Sequence, residues 1–142
     1  MNDTGIGMME SLTRAECLGL MGTVPIGRIV FTEQALPAVL PAGFVLDDGD
    51  VVICAPAVSG LDTRIRGAVV AFETDGIDAR GRAVWSVTVV GRARVVRDPG
   101  ERVRSALRPW TTTPEARFVR ISCQRMAGRR INRIGGDHQA AA

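Results

Sequence analysis

Few side chains in this sequence could act as nucleophiles or bases. The basic residues are all arginine, tyrosine is absent, and the single histidine, His138, lies among small residues near the end of the chain. Without a lysine there can be no Schiff-base chemistry. Without a well-placed histidine, a Ser-His-Asp triad and a Cys/His zinc site are both unsupported. The chemistry open to this chain is therefore that of cysteines, carboxylates and aromatic rings.

The cysteines are three in number, Cys17, Cys54 and Cys123, with no C-x-x-C spacing. An odd, unpaired set of this kind is typical of reduced thiols in a cytoplasmic protein. Cys54 follows an apolar run, so it could face a pocket as a nucleophile or a small lining group, or it could be buried and inert. Because no lysine or histidine stands near it to activate the thiol, the sequence favours the inert role.

The carboxylates form two candidate groups. Residues 47–50 read Asp-Asp-Gly-Asp, which could bind a metal but is fully explained as a solvated hairpin turn. Glu33, Glu73 and Asp75 could each supply a general acid or base if one of them lies in an apolar pocket. Nothing in the sequence selects among these three.

The two tryptophans, Trp85 and Trp110, could each stack on a planar ligand. Trp85 lies within a predicted strand, where ordinary packing is the expected role of an aromatic side chain. Trp110 follows Pro109 in a predicted loop, and there both roles stay open.

Charge and hydropathy exclude some partners. The net charge is only +3, the arginines are scattered, and aromatic residues make up 4% of the chain. A nucleic-acid-binding face needs concentrated basic residues interleaved with aromatic ones. The longest apolar run is far below the ~20 residues that cross a bilayer, and we see no basic stretch followed by an apolar one at the N-terminus. We therefore expect a cytoplasmic protein with no nucleic-acid or membrane partner.

Strands and short helices must position these residues. Six strands are predicted at 26–32, 35–46, 51–55, 68–74, 83–96 and 118–121, with a potential extension of the last toward 131. Gly91 is expected to mark a bulge. A capping box at Thr13 begins the first helix, and Ser59, with Asp62 three residues on, is expected to cap a second helix running to Arg66. The pattern predicts a closed or nearly closed antiparallel barrel. The interior of so small a barrel is filled with side chains, so a ligand must lie outside it, in a groove between two copies.

Several segments carry a resemblance to a known family. They are Gly27-Arg-Ile-Val-Phe-Thr-Glu33, Leu36-Pro-Ala-Val-Leu-Pro41, Phe44-Val-Leu-Asp-Asp-Gly-Asp50, residues 61–72, Trp85-Ser-Val-Thr-Val-Val-Gly-Arg-Ala93 and Phe118-Val-Arg-Ile121. In this order they resemble the actinobacterial branch of the pyridoxamine 5′-phosphate oxidase-like family, the flavin-binding split barrels. The similarity spans roughly residues 13–131.

The resemblance implies an all-β fold, β-rich with short helices, in the form of a six-stranded antiparallel split β-barrel. The barrel domain would span residues 11–134, with flexible tails at 1–10 and 135–142. It also implies a homodimer with two cofactor grooves at its interface. Family members bind FMN or the 8-hydroxy-5-deazaflavin coenzyme, a few bind haem, and many transfer hydride to or from a small organic molecule.

This sequence departs from the family where the flavin phosphate is held. Family members carry an arginine and a threonine on the third strand, and a lysine just after the capping serine. Those three positions here hold Cys54, Ala55 and Gly60, while Ser59 remains. Losing two cationic partners and a hydroxyl would weaken binding by roughly 4–8 kcal/mol.

Two functions therefore stay open. The first is a flavin-type oxidoreductase in which the ring lies against residues 40–44 and Trp110. Its phosphate would be held by Ser59, Arg64, Arg66 and the backbone N–H groups of Gly60 and Leu61. The cofactor-binding candidates are Leu40, Pro41, Phe44, Cys54, Ser59, Gly60, Arg64, Arg66 and Trp110. No catalytic residue is assigned, and no metal ligand is predicted.

The second function needs no cofactor. The neutral residues at positions 54, 55 and 60 would form a small uncharged wall, which suits an apolar metabolite better than a nucleotide. Such a barrel could catalyse cofactor-independent cyclisation or isomerisation, or it could carry or sense the metabolite. A non-catalytic dimer module, with the groove filled by the protein's own side chains, is the remaining alternative.

Overall fold

The computed structural model describes residues 8–78, 80–111 and 115–132, and these form a β-rich fold. The strands are β1 (Met8–Ser11), β2 (Ile26–Glu33), β3 (Leu36–Asp47), β4 (Asp50–Ala55), β5 (Val69–Ile77), β6 (Ala83–Val96), β7 (Arg117–Ile121) and β8 (Arg125–Asn132). The helices are α1 (Arg14–Met21), α2 (Leu61–Ile65) and α3 (Glu101–Ala106), and two 3₁₀ turns cover Ala57–Ser59 and Arg108–Trp110. None of the described helices has the length and apolar character needed to cross a membrane.

Six of the strands form a closed antiparallel barrel, which confirms the predicted fold class. The strand order is β6-β5-β2-β3-β4-β7, and pairing between β7 and β6 closes the ring. Closure depends on the length of β6, because one edge of this strand serves two partners. Residues 83–90 pair with β8, whereas residues 93–96 pair with β7.

The change of partner on β6 occurs at Gly91. The backbone N–H groups of Ser122 and Gln124 donate to the carbonyls of Arg92 and Val90, on either side of this glycine. A Cβ atom at position 91 would overlap the carbonyl oxygen of Ser122. Gly91 therefore permits a close approach of two backbones. Residues 122–124 lie opposite Gly91 and belong to no strand, so they separate β7 from β8. The predicted extension of the sixth strand toward residue 131 is therefore a separate strand, β8.

The N-terminal segment differs from its predicted role as a flexible tail. Residues 8–11 form β1, which pairs with β8 in the register Met9↔Ile131 and Glu10↔Arg130. An ion pair of 3.3 Å between Arg130 and Glu10 accompanies this pairing. Such a short strand carries little local signal, and its partner lies more than 100 residues away in the sequence. Residues 1–7 and 135–142, also predicted as tails, lie outside the described residues.

Local turn and cap chemistry agree with expectation. The Thr13 side chain accepts from the Glu16 backbone N–H, and the Glu16 carboxylate accepts from the Thr13 backbone N–H, which completes the capping box of α1. The β3–β4 hairpin turns at Asp48 and Gly49, with φ of 53° and 82°. Positive φ at both central residues is the geometry of a type I′ turn.

The carboxylates of this hairpin bind arginine. Arg120 contacts both Asp47 and Asp50, and Arg102 also contacts Asp47. The hydrogen bonds from Arg120 and then Arg102 lower the pKa of Asp47. The metal-binding alternative for residues 47–50 therefore has no support, because two of its three carboxylates neutralise guanidinium groups.

The apolar core lies in two places. The interior of the barrel holds residues from every barrel strand, among them Phe44 and Phe72, whose rings lie 5.0 Å apart. A second cluster lies outside the barrel, where α3 and the residues after it cover β4 and β7. Its buried members are Val52, Cys54, Val103, Leu107 and Phe118. Strand β4 is therefore buried on both faces, as its continuous apolar run predicts.

Candidate functional site

The turn at residues 59–61 was predicted to hold the flavin phosphate, but its polar groups form hydrogen bonds within the protein. The Ser59 hydroxyl donates to the Pro56 carbonyl at 2.7 Å and accepts from the Leu61 N–H at 3.2 Å. The Gly60 N–H donates to the Ala57 carbonyl. Gly60, with φ of 66°, takes the N-cap position that was predicted for Ser59. Because α2 has only five residues, its dipole adds little attraction for an anion.

The two arginines predicted beside this turn behave differently. Arg64 makes a bidentate contact with Glu33, at 2.6 and 2.8 Å, and its guanidinium lies 5.3 Å from the centre of the Phe31 ring. This pairing lowers the pKa of Glu33. Arg66 is exposed and has no carboxylate partner among the described residues. Arg66 is therefore the predicted phosphate contact that stays available, and Glu33 is not suited to act as a general base.

Strand alternation separates the residues predicted to contact the ring. Phe44 is buried in the barrel core and Leu40 packs against that core, so neither side chain reaches a ligand outside the barrel. Pro41 and Gly43 point to the outer face. A ligand outside the barrel would therefore meet this strand at Pro41 and at position 43 rather than at Leu40 and Phe44.

Trp110 lies directly on Gly43. A Cβ atom at position 43 would overlap the indole ring, so only glycine lets the ring sit flat against the strand. Trp110 remains 36% exposed, which leaves part of the indole open to a ligand. Trp85, in contrast, is 4% exposed and packs on Gly76 within the barrel, as its place on a strand predicted.

Cys54 is buried beneath the segment that carries Trp110. Its sulfur lies 3.4 Å from the Thr111 Oγ1 atom and 3.8 Å from the Trp110 carbonyl oxygen. With 6% of its surface exposed, Cys54 packs as a small apolar side chain. The position that carries an arginine in the family is thus closed here by residues 110 and 111.

An arginine-rich groove begins next to this closed position, and the sequence did not predict it. Two adjoining cavities of about 490 and 420 Å³ share Arg97, Ala116, Arg117 and Phe118 as lining residues. Thr111, which contacts Cys54, lines the second cavity. We call this surface the arginine groove, and define it by five arginines around one aromatic ring: Arg66, Arg97, Arg104, Arg108, Arg117 and Phe118.

The five arginines of the groove come from four separate places in the chain. Arg66 follows α2, Arg97 follows β6 and Arg117 begins β7. Arg104 and Arg108 lie four residues apart in α3 and the turn after it, a spacing that places two side chains on one side of a helix. That spacing is the only signal of the groove in the sequence. The register that pairs Arg117 with Ala55 has no local signature.

A second polar cluster lies on the outer face of the sheet. Arg28 on β2 stands opposite Glu73 on β5, and its guanidinium also reaches Asp75, with contacts of 3.2 and 3.3 Å. Burial, with the hydrogen bond and charge of Asp75, raises the pKa of Glu73 to about 7. These effects outweigh the attraction of Arg28, because that side chain is 46% exposed and its charge is screened. Among the three candidate carboxylates, Glu73 therefore has the raised pKa that a general acid or base needs near neutral pH.

The class of protein follows from the barrel and from comparison with known families. A family model described as pyridoxamine 5′-phosphate oxidase matches residues 13–130. The chain therefore belongs to the pyridoxamine 5′-phosphate oxidase family, which confirms the resemblance found in its sequence.

Individual relatives agree with this assignment. The chain is similar to the uncharacterized protein Rv0080 of Mycobacterium tuberculosis, with 36% identity over 127 residues and 84% of each chain covered. The FAD binding protein from Mycobacterium smegmatis has a TM-score of 0.70 and 28% identity, and the match covers 88% of this chain and 100% of that one. A conserved protein of unknown function from Corynebacterium diphtheriae, DIP1874, has a TM-score of 0.69 and 29% identity, over 87% and 98% of the two chains.

Proposed function

We propose that this protein is a flavin-type oxidoreductase that acts on a small organic molecule. The observation that carries the proposal is a partly exposed indole resting on β3 and a carboxyl with a raised pKa on β5, both on the outer face of a barrel of this family. Trp110 would supply the planar surface, and Glu73 would supply the proton. A bound flavin would supply hydride transfer, and the protein would supply orientation and proton delivery.

The register of the sheet supports a place for the ring on this face. Pro41 stands opposite Arg28, and Arg28 stands opposite Glu73, so the three residues form one row across β3, β2 and β5. Neighbouring strands lie about 4.8 Å apart, so Glu73 is about 10 Å from Pro41. A planar molecule laid beside Trp110 and over Pro41 would point toward Glu73. FMN, FAD and the 8-hydroxy-5-deazaflavin coenzyme are the candidates, FAD because the M. smegmatis neighbour is an FAD binding protein.

We also propose that the working form is a homodimer whose subunits meet on this outer face. Exposed apolar side chains are concentrated there, and they alternate along the strands with the interior residues: Ile26, Val39, Val69, Ile77 and Val84. An uncovered apolar patch of this kind marks an interaction surface. Light scattering during size-exclusion chromatography should give twice the mass of one chain, and the mass of a single chain would contradict the proposal.

The test of flavin binding is a titration of the purified full-length chain with each of the three coenzymes. We expect at least one of them to bind, with a shifted visible absorption band and quenched Trp110 fluorescence. Replacing Trp110 with alanine should weaken binding roughly tenfold, because stacking on an aromatic ring contributes about 1–3 kcal/mol. Trp110→Phe should restore most of the affinity. A protein that binds none of the three at micromolar concentration would refute the proposed function.

A second candidate function has one observation in its favour. The polar groups of the predicted phosphate turn are engaged within the protein, and Cys54 is covered by residues 110 and 111. In a barrel that has lost its flavin, the phosphate turn would be closed by internal hydrogen bonds in this way. The groove between the two subunits would then bind an apolar metabolite. A colourless protein that ignores all three coenzymes, yet is stabilised by an uncharged apolar ligand, would support this alternative.

A further inference from the structure

We propose that the arginine groove binds the phosphate end of the nucleotide, in place of the turn that serves this purpose elsewhere in the family. This inference rests on the proposed function, because it concerns the other end of the same ligand. Its basis is the charge, the shape and the position of the groove.

The groove carries an excess of positive charge. Three of its five arginines have carboxylate partners: Arg104 with Asp98, Arg108 with Glu101 and Arg117 with Asp62. Arg66 and Arg97 have none among the residues that the structure describes. Two unpaired guanidiniums on one rim form a surface that attracts a multiply charged anion.

The carboxylates that pair with Arg104 and Arg108 would compete only weakly with a phosphate for these arginines. The Arg108–Glu101 contact is 3.9 Å long and both side chains are mostly exposed, while Arg104 and Asp98 also lie at the surface. Exposed ion pairs of this kind contribute little, so these guanidiniums can turn toward a phosphate without a large loss of stability. Arg117 differs, because its partner Asp62 is buried and holds it in place.

The floor of the groove is apolar. Phe118 is 5% exposed, and the guanidinium of Arg104 lies 5.4 Å from the centre of its ring. Val96 and Ala116, which pack in the same cluster as Phe118, complete the floor. An apolar floor with a cationic rim suits a phosphate ester that carries a carbon chain better than a free inorganic anion.

The groove lies next to the segment that carries Trp110. Thr111 lines the groove and follows Trp110 directly in the chain. Thr111 also covers Cys54, the position from which a family arginine would reach the phosphate. The cationic groups therefore surround this covered position, on α3 and β7 and just after α2 and β6, instead of lying on β4 itself.

The experiment compares FMN with riboflavin, which has the same ring system but no phosphate. In equilibrium titrations of the wild-type chain at low salt, FMN should bind at least about tenfold tighter than riboflavin, because a hydrogen bond to a charged group contributes about 1.5–3 kcal/mol. The double variant Arg66→Gln/Arg97→Gln should lower this ratio several-fold and leave riboflavin binding unchanged. Added salt should weaken the binding of FMN more than that of riboflavin.

Arg80→Gln is the matched control, because Arg80 is exposed and lies in the β5–β6 loop, outside the residues that line the groove. This substitution removes the same charge and should leave the FMN-to-riboflavin ratio unchanged. If the double variant keeps the wild-type ratio, or if Arg80→Gln lowers it equally, the inference about the groove is wrong and flavin binding stands. If neither ligand binds to the wild-type chain, the proposed function itself fails.

Discussion

Replacing Gly91 with alanine is expected to destabilise the protein by about 3 kcal/mol or more, which corresponds to a fall of about 10 °C in the unfolding midpoint. The added Cβ would overlap the carbonyl oxygen of Ser122, and backbone atoms cannot rotate away as a side chain does. The overlap falls where the barrel closes, because β6 changes partner from β8 to β7 at this residue. The loss should be visible in thermal unfolding followed by circular dichroism.

Gly19→Ala is the matched control for this prediction. Gly19 is exposed in the middle of α1, and nothing lies within 4 Å of the position that its Cβ would take. Alanine in a helix interior is favoured over glycine by about 1 kcal/mol, so the same chemical change should raise the midpoint here. Equal midpoints for Gly91→Ala and the wild type would show that the two backbones are not in close contact.

Replacing Glu73 with glutamine is expected to slow the oxidoreductase reaction about 100-fold, because glutamine cannot donate a proton. The test substrate is menadione, a small quinone. When the reduced, flavin-loaded protein transfers a hydride to menadione, the quinone must also gain a proton. In the wild type, the single-turnover rate should fall as the pH rises through about 7, the pKa of Glu73. The variant should lose this pH dependence.

Asp75→Asn provides a second check, because Asp75 is one cause of the raised pKa of Glu73. The pH at which the rate falls should move to lower values in this variant. His138→Gln should change neither the rate nor the pH profile, which separates Glu73 from the single histidine of the chain. If Glu73→Gln reacts at a rate within threefold of the wild type, with the same profile, then Glu73 is not the proton donor.

The raised pKa of Glu73 also makes a prediction that does not depend on activity. Between its ordinary value of 4.5 and about 7, Glu73 holds its proton in the folded protein but loses it on unfolding. Stability must therefore fall as the pH rises through this range, by roughly 1–2 kcal/mol once solvent screening is included. Urea unfolding at pH 5 and pH 8 should show this difference in the wild type and a smaller one in Glu73→Gln.

The fold was largely predictable because its signals are local. The Asp-Asp-Gly-Asp run between two apolar stretches is sufficient for the hairpin at 47–50, since turn chemistry depends on adjacent residues. The capping box of α1 and the buried run of β4 are equally local. Strand β1 escaped prediction because it has four residues, and its stability comes from a partner near the other end of the chain.

The site was less predictable, because its residues are brought together by contacts between distant parts of the chain. The sequence shows a glycine at position 43, but only the structure shows that Trp110 rests on it. Glu33, Glu73 and Asp75 were equivalent candidates until the structure paired Glu33 with Arg64 and placed Glu73 beside Asp75. The pKa of a carboxyl depends on burial and on neighbouring charges, and neither can be read from local spacing.

The sequence by itself determined the class of fold, the family, the local turns and the absence of the usual phosphate contacts on β4 and at its turn. Only the tertiary structure decided where positive charge collects instead, because the arginine groove joins arginines from four places in the chain. Turns and caps depend on neighbours within a few residues. A binding surface depends on strand register and on the packing of one segment over another, and these are properties of the whole barrel.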